Sequence, residues 1–258
     1  MSGAANARAA GRAPGWSGVL LVARREWRAA LDGNVAPALL VVSLLASIAP
    51  FVHGFFLSGR AELASFFAPL PWVMAAWLPA ASMRLWSEDL RARTVETWRA
   101  LPYSRAQLVL GKWLSGAWLL GLQLLLTTPL VALVALHGDL QAAQVLGGYA
   151  AAFLLGAWML ALGAWISSTT ADQTTAYVQT ALLVAFFLAL GEPRAWTILD
   201  GFAPQLLPGT FAARHVSPRL AYDQLVGGLV GLDALVLFVG QAALWLWLNA
   251  RALARGGR

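Results

Sequence analysis

Nine of the 30 charged residues in this chain fall in one stretch, MRLWSEDLRARTVETWRALPYSRAQLVLGK, from Met83 to Lys112. It is the densest collection of residues able to do chemistry. Its Gly111-Lys112 pair invites comparison with a phosphate-binding loop. Trp113 follows where that loop needs Ser or Thr, and Ala106 stands where it needs its first Gly, so the chain carries no such loop. There is no cysteine, which excludes disulfides, thiolate metal sites and cysteine nucleophiles. His53, His137 and His215 lie far apart in sequence and read as structural or exposed, with no metal site expected. No Ser/His/Asp arrangement stands out. What remains is recognition chemistry. In SEDL, Ser87 is a possible helix cap with Glu88 and Asp89 behind it. In TVETWRALP, Thr94 can cap a short helix, Glu96 sits in its first turn and Pro102 stops it. Val95, Trp98 and Leu101 form an apolar stripe, flanked by Glu96 and Arg99. Ser104 with Gln107 makes a capping-box pattern for the next helix. From these residues alone, two readings stand side by side: an interfacial turn between two spans, or a docking element for a soluble partner.

The elements around this stretch are those of a membrane protein. The chain is 59% hydrophobic and 12% charged, with a mean hydropathy of +0.66; an ordinary soluble domain carries roughly 25% charged residues. The net charge of +6 does not point to nucleic acid, because the arginines bracket apolar runs. Six stretches read as spans: about 35–57, 63–86, 108–136, 145–166, 175–190 and 234–249. Pro37, Pro50, Pro69, Pro71, Pro79 and Pro129 predict kinks within them. Ahead of the first span, Trp16, Val19, Leu20, Ala23, Trp27 and Ala30 fall on one helical face, with Arg24, Arg25 and Arg28 off it. That is the pattern of an amphipathic helix lying in the interface. Residues 1–15 read as a flexible cytoplasmic tail and 16–258 as one membrane domain.

With six spans both termini share a side. Only Arg60, Arg194, Arg214 and Arg219 of the 18 Lys and Arg fall opposite the termini, so the positive-inside rule places the termini in the cytoplasm of a bacterial inner membrane. The segment 191–233 is then external. Pro193, Pro204, Pro208 and Pro218 break it too often to span, and it is expected to form short helices that dip into or cap the outer leaflet. Asp172 reads as the cap of the fifth span and Asp233 as a helix-start acid at the sixth. Of the 13 tryptophans, those deep in the spans are expected to pack between helices.

The order Met83-Arg84, Glu88-Asp89, Thr94-Val95-Glu96, Leu101-Pro102 and Gly111-Lys112 resembles the signature of ABC-2-type transporter permeases. The resemblance continues through Gly138-Asp139, Gly148-Tyr149 and the polar linker Ser168 to Gln173, and the opening ARREWRAAL is similar to the family's first helix. Within the family the chain resembles most the gliding-motility-associated branch. One departure stands out: the family's glycine before the Thr is Arg93 here. Arginine makes a left-handed turn costly, so a continuous helix is expected at that point.

The resemblance implies an all-α integral membrane fold of six transmembrane helices with an N-terminal interfacial helix, as in type V exporter-like permeases. It implies a permease subunit with no enzyme activity of its own, binding no cofactor directly. ATP and Mg would sit on a partner ABC ATPase present in two copies, together with a second permease copy or a paralogue, and a periplasmic or auxiliary membrane protein would be a further partner. Residues of about 87–102 would form the coupling helix, with Glu88, Asp89, Arg91, Arg93, Thr94, Val95, Glu96, Trp98, Arg99 and Leu101 contacting the ATPase. The small residues Gly116, Gly121, Gly156 and Gly163 would allow close helix approach in a dimer. The alternative is a mechanotransmitter, of the gliding or nitrous-oxide-reductase-maturation type, that passes ATP-driven movement to an external partner without bulk transport.

Overall fold

The computed structural model describes residues 15–58, 63–94, 103–137, 142–229 and 231–255, and every regular element in them is an α-helix. α1 (Gly15–Asp32) is the amphipathic helix and α2 (Val35–Ser58) the first apolar one. The second predicted span is three helices, α3 (Ala64–Phe67), α4 (Leu70–Ser82) and α5 (Arg84–Arg91). The third is two, α6 (Arg105–Leu126) and α7 (Thr128–His137), parted at Thr127 just before Pro129. α8 (Ala142–Ser167) is the fourth and α9 (Gln173–Ala189) the fifth. Three short helices follow, α10 (Pro193–Phe202), α11 (Pro208–His215) and α12 (Pro218–Val226), each opened by a proline. α13 (Leu232–Arg255) closes the chain. Among the described residues, five segments are long and apolar enough to cross a membrane. α9 and α10, bent by 74°, add a sixth if taken as one broken span. This is a multi-pass integral membrane protein.

α8 is the axis of the bundle. Its apolar window is 67% buried inside the protein, against 17% for α2 and for α13. Lipid is as apolar as leucine, so helices in a membrane gain by fitting closely rather than by escaping water. α8 fits closely because small residues recur along it: Ala151, Ala152, Ala157, Ala161 and Ala164 are all buried. A Cβ on Gly156 would come within 2.5 Å of Leu120 and 2.6 Å of Met74, and one on Gly163 would collide with Ser82. Gly116 likewise faces Leu160. Three of the four glycines expected to serve a dimer are thus occupied within the chain, while Gly121 has only the rim of Phe153 near it. α2 and α13 instead turn Val41, Val42, Leu45, Val236 and Val239 outward.

The deep tryptophans pack between helices, as expected. Trp158 is fully buried and donates to Gln241 Oε1 of α13 at 2.7 Å; Trp113 donates to the Ala157 carbonyl at 2.9 Å. Trp165 stacks on Trp245 at 5.2 Å. In Trp158 and Trp113 the indole body replaces lipid contact while the N–H finds an acceptor.

Both ends of the described chain meet at one end of the bundle. There Val22 of α1, Trp86 of α5, Leu108 and Val109 of α6 and Leu253 of α13 form a second, smaller apolar cluster. At the opposite end Tyr222 of α12 donates to the Phe67 carbonyl at 2.7 Å, and Asp200 of α10 accepts from Gly209 and Thr210 of α11.

Candidate functional site

The charged stretch is positioned by a break in the second span. Pro79 has no N–H, and the helix interrupts at Met83 before resuming as α5. Ser167, at the end of α8, fills the interruption. Its hydroxyl donates to the Met83 carbonyl at 2.7 Å and accepts from the N–H groups of Trp86 and Ser87, both at 3.0 Å. Two amide donors left over at the start of a helix are thereby satisfied in a buried place. Ser87 is consequently not a helix cap. It lies inside α5, fully buried, and its own hydroxyl donates back to the Met83 carbonyl.

α5 ends in a Schellman turn. Thr94 N–H reaches the Asp89 carbonyl at 3.0 Å, and Arg93 between them stands at φ +56°. The expectation of a continuous helix at Arg93 is therefore overturned. The sharp left-handed turn is made despite the side chain, at a conformational cost of about 1–2 kcal/mol. The Thr94 hydroxyl helps hold it by donating to Asp89 Oδ1 at 2.6 Å. Arg91, Arg93 and Thr94 are exposed at this turn. Val95, Glu96, Trp98, Arg99 and Leu101, the stripe and flanks of the expected coupling helix, lie outside the described residues. The chain is described again from Tyr103. Ser104 and Gln107 then form the expected capping box of α6, at 2.8 and 3.2 Å, and Gln107 also donates to the Gly15 carbonyl of α1 at 2.9 Å.

Behind the turn is an ion cluster that sequence reasoning did not find. Lys112, one turn and more into α6, is 3% exposed. Its ammonium lies 3.0 Å from Glu26 Oε2 of α1 and 2.7 Å from Asp89 Oδ2 of α5, and 5.0 Å from the centre of the Trp86 ring. The contact with Asp89 is an ion pair without hydrogen-bond alignment, while that with Glu26 is a hydrogen bond. The neighbouring Gly111 explains how α1 comes close enough: a Cβ there would stand 2.6 Å from Val22. The Gly-Lys pair therefore has a structural meaning unrelated to phosphate. Glycine admits the interfacial helix, and lysine fastens it to the helix that leads into the charged segment. Of the expected contact residues, Asp89 is turned inward to this cluster. Glu88 stays at the surface, held by Arg84 at 3.1 and 3.2 Å.

Asp172 caps α9 as expected, accepting from Thr175 N–H at 2.8 Å. The Thr175 hydroxyl, with that amide adding to it, holds its carboxyl below the usual carboxylate range.

The arrangement offers no nucleophile beside a base and, among the described residues, no group of three or more potential metal ligands. It offers a rigid junction of three elements facing one end of a membrane bundle. A comparison with curated proteins finds no match. A family model, described as ABC-2 family transporter protein, matches residues 58–247, a region running from the far end of α2 through α5, Lys112, α8 and the short helices α10 to α12 into α13. That span covers well over half of the chain, and the chain belongs to the ABC-2 transporter family as a membrane permease.

Proposed function

We propose that this chain is the membrane subunit through which a separate ABC ATPase drives export or movement across a bacterial inner membrane, with the segment 87–102 as the ATPase dock. The observation that carries the reading is the junction at Lys112. Force arriving at a segment hung between α5 and α6 must reach the spans. The Schellman turn at Arg93 starts that segment, and Lys112 ties its base to α1 and α6 together. An interfacial turn that merely joins two spans needs no such anchorage. The charged end is then cytoplasmic, with both termini there, as the distribution of Lys and Arg supports. ATP chemistry belongs to the partner, and a pair of permeases, identical or paralogous, serves a pair of ATPases.

In this reading Val95, Trp98 and Leu101 fill a groove of the ATPase, and Glu88, Arg91, Arg93, Thr94, Glu96 and Arg99 set the rim; Asp89 acts from behind. Truncating a buried aromatic anchor commonly costs at least ~2 kcal/mol, about thirtyfold in affinity. A rim charge is worth ~0.5 kcal/mol. Pull-down of the ATPase by Trp98→Ala and Arg99→Ala variants tests the assignment, with thermal stability of the isolated permease as control. Trp98→Ala is expected to lose assembly far more than Arg99→Ala at unchanged stability. Full assembly and full coupled ATPase activity in Trp98→Ala would refute the dock.

A second reading, transmission of movement to an external partner without bulk transport, is favoured by the exposed Ile198, Phe202, Leu206 and Phe211 of the segment holding α10 and α11. Flux into sealed vesicles, present or absent while ATP is hydrolysed, separates the two.

A further inference from the structure

The corner between α11 and α12 is set inside the bundle. Val216 and Ser217 are its two non-helical residues, and Ser217 is fully buried. Both are held by helices of the bundle. The Ser217 hydroxyl donates at 2.7 Å to the Phe187 carbonyl, one of those left over in the last turn of α9. The Val216 carbonyl accepts from Gln241 Nε2 of α13 at 2.9 Å, and Oε1 of the same amide accepts from the Trp158 indole of α8 at 2.7 Å. Gln241 stands nine residues beyond Leu232, where the span of α13 begins, so the corner lies about 13 Å inside that span. Irregular backbone at such depth is tolerated only where protein or water satisfies it, and Gln241 is what satisfies Val216.

α8 joins this corner to the charged end. Ser167, at the end of α8, fills the break between α4 and α5, and Trp158 sits nine residues earlier on the same helix. α8 and α13 thus meet the corner through one amide, and a shift of either strains a bond to it. A second arrangement also has something to gain. Nη1 of Arg219, in the first turn of α12, is buried without a hydrogen bond among the described residues, 3.8 Å from Glu192 Oε1 at the bend between α9 and α10. That oxygen instead accepts from the Trp72 indole at 3.3 Å. A buried guanidinium nitrogen short of its acceptor is destabilising, and movement of α12 toward Glu192 would relieve it. We propose that the α11–α12 corner is a movable closure at the end opposite the charged segment. Gln241 pins it in this structure, and ATP-driven movement at the dock withdraws it by shifting α8 against α13. The proposal rests on the reading of the chain as an ATPase-driven permease. Gln241 is a positioning residue, and its two bonds decide whether the corner is seated.

The chain has no cysteine, so a thiol introduced by substitution is the only one to label. Ser217→Cys keeps the size of a fully buried side chain, and its rate of reaction with a polar maleimide reads how often the corner opens. In the isolated permease Gln241→Leu strands the Val216 carbonyl. One lost hydrogen bond of this kind is worth about tenfold in an opening equilibrium, so labelling of Ser217→Cys is expected to rise about tenfold in that background. Ser82→Cys, equally buried in α4, is expected to stay unreactive there. In the complex with its ATPase, trapping with ATP and vanadate is expected to raise Ser217→Cys labelling by a similar factor with Gln241 intact. A rate unchanged by Gln241→Leu overturns the pin. So does labelling of Ser82→Cys that rises alongside, since the chain has then loosened as a whole. Trapped ADP with Ser217→Cys still unreactive overturns the closure and leaves the permease reading intact. Failure of any ATPase to assemble overturns that reading, and the closure falls with it.

Discussion

Replacing Lys112 by Met tests whether the ion cluster holds the charged end together. Methionine keeps most of the volume and the apolar stem and removes only the ammonium. In the native chain that ammonium is within 3.0 Å of Glu26 and 2.7 Å of Asp89. Removing one partner of a fully buried pair costs about 3–5 kcal/mol, because the other charge is left uncompensated. Here the two carboxylates keep 22% and 19% of their exposure, so water relieves part of the penalty. We expect a loss of about 2–3 kcal/mol, below the fully buried range for that reason. For a chain of this size that is a fall of about 5–10 °C in melting temperature, taken at about 2–4 °C per kcal/mol. Arg84→Ala is the contrast. It removes an i,i+4 pair whose members are 38% and 54% exposed, worth about 0.3–0.5 kcal/mol. Thermal unfolding of the purified permease in one detergent measures both. The triple variant Lys112→Met, Glu26→Gln, Asp89→Asn should recover much of the loss, since a neutral hydrogen-bonding set no longer strands a charge. If Lys112→Met melts where the unaltered protein does, or if the triple variant is worse than the single, the cluster does not fasten α1 and α5 to α6.

The remaining expectations concern the joints on either side. Arg93→Gly relieves a side chain held at φ +56° and should stabilise by about 1 kcal/mol, read as a raised melting temperature; a lowered one would mean that Arg93 makes contacts worth more than its strain. Ser167→Ala strands two buried N–H groups and should cost about 1–3 kcal/mol, with hydrogen exchange at Trp86 and Ser87 rising first. At the opposite end, Asp200 is held below the usual carboxylate range by the Thr210 hydroxyl, with the Thr210 and Gly209 amides adding to it. A depressed carboxyl stabilises above its unfolded value near 4 and loses that contribution as pH falls through its lower folded value. Exchange protection of Gly209 and Thr210, corrected for intrinsic rate, should therefore be full at neutral pH and fall away below about pH 4; protection unchanged at pH 2.5 would show that the ionised Asp200 carboxylate does not hold these amides.

How much of this was legible depends on the range of the interaction. The spans, the capping box at Ser104 and Gln107 and the cap at Asp172 are written within a few residues of themselves, and the structure has them where hydropathy and spacing put them. The breaks were legible as prolines but not as geometry. Pro79 announces a weakness in the second span, yet nothing near it says that a serine 84 residues from Met83 will fill the gap. Arg93 misled because a local rule, that arginine avoids positive φ, lost to the tertiary demand that the chain turn at Thr94.

Lys112 is the most informative of the residues that sequence spacing does not place. On sequence it belongs to a Gly-Lys pair at the mouth of a span, a position from which a lysine ordinarily snorkels to water. The signal that it does not was present but distant. Glu26 is the single acid in the run from Arg24 to Arg28, and an acid amid arginines on an interfacial helix has a reason to point inward only if a cation waits there. The separation of 86 positions from Glu26 to Lys112 carries no periodicity that pairs them. Gly111 pairs them, by letting α1 lie against α6 so that the acid arrives at the right depth. A cavity lies beside the cluster, between α1, α2, α4, α5 and α6. A single packing decision at Gly111 thus sets the anchorage of the charged segment.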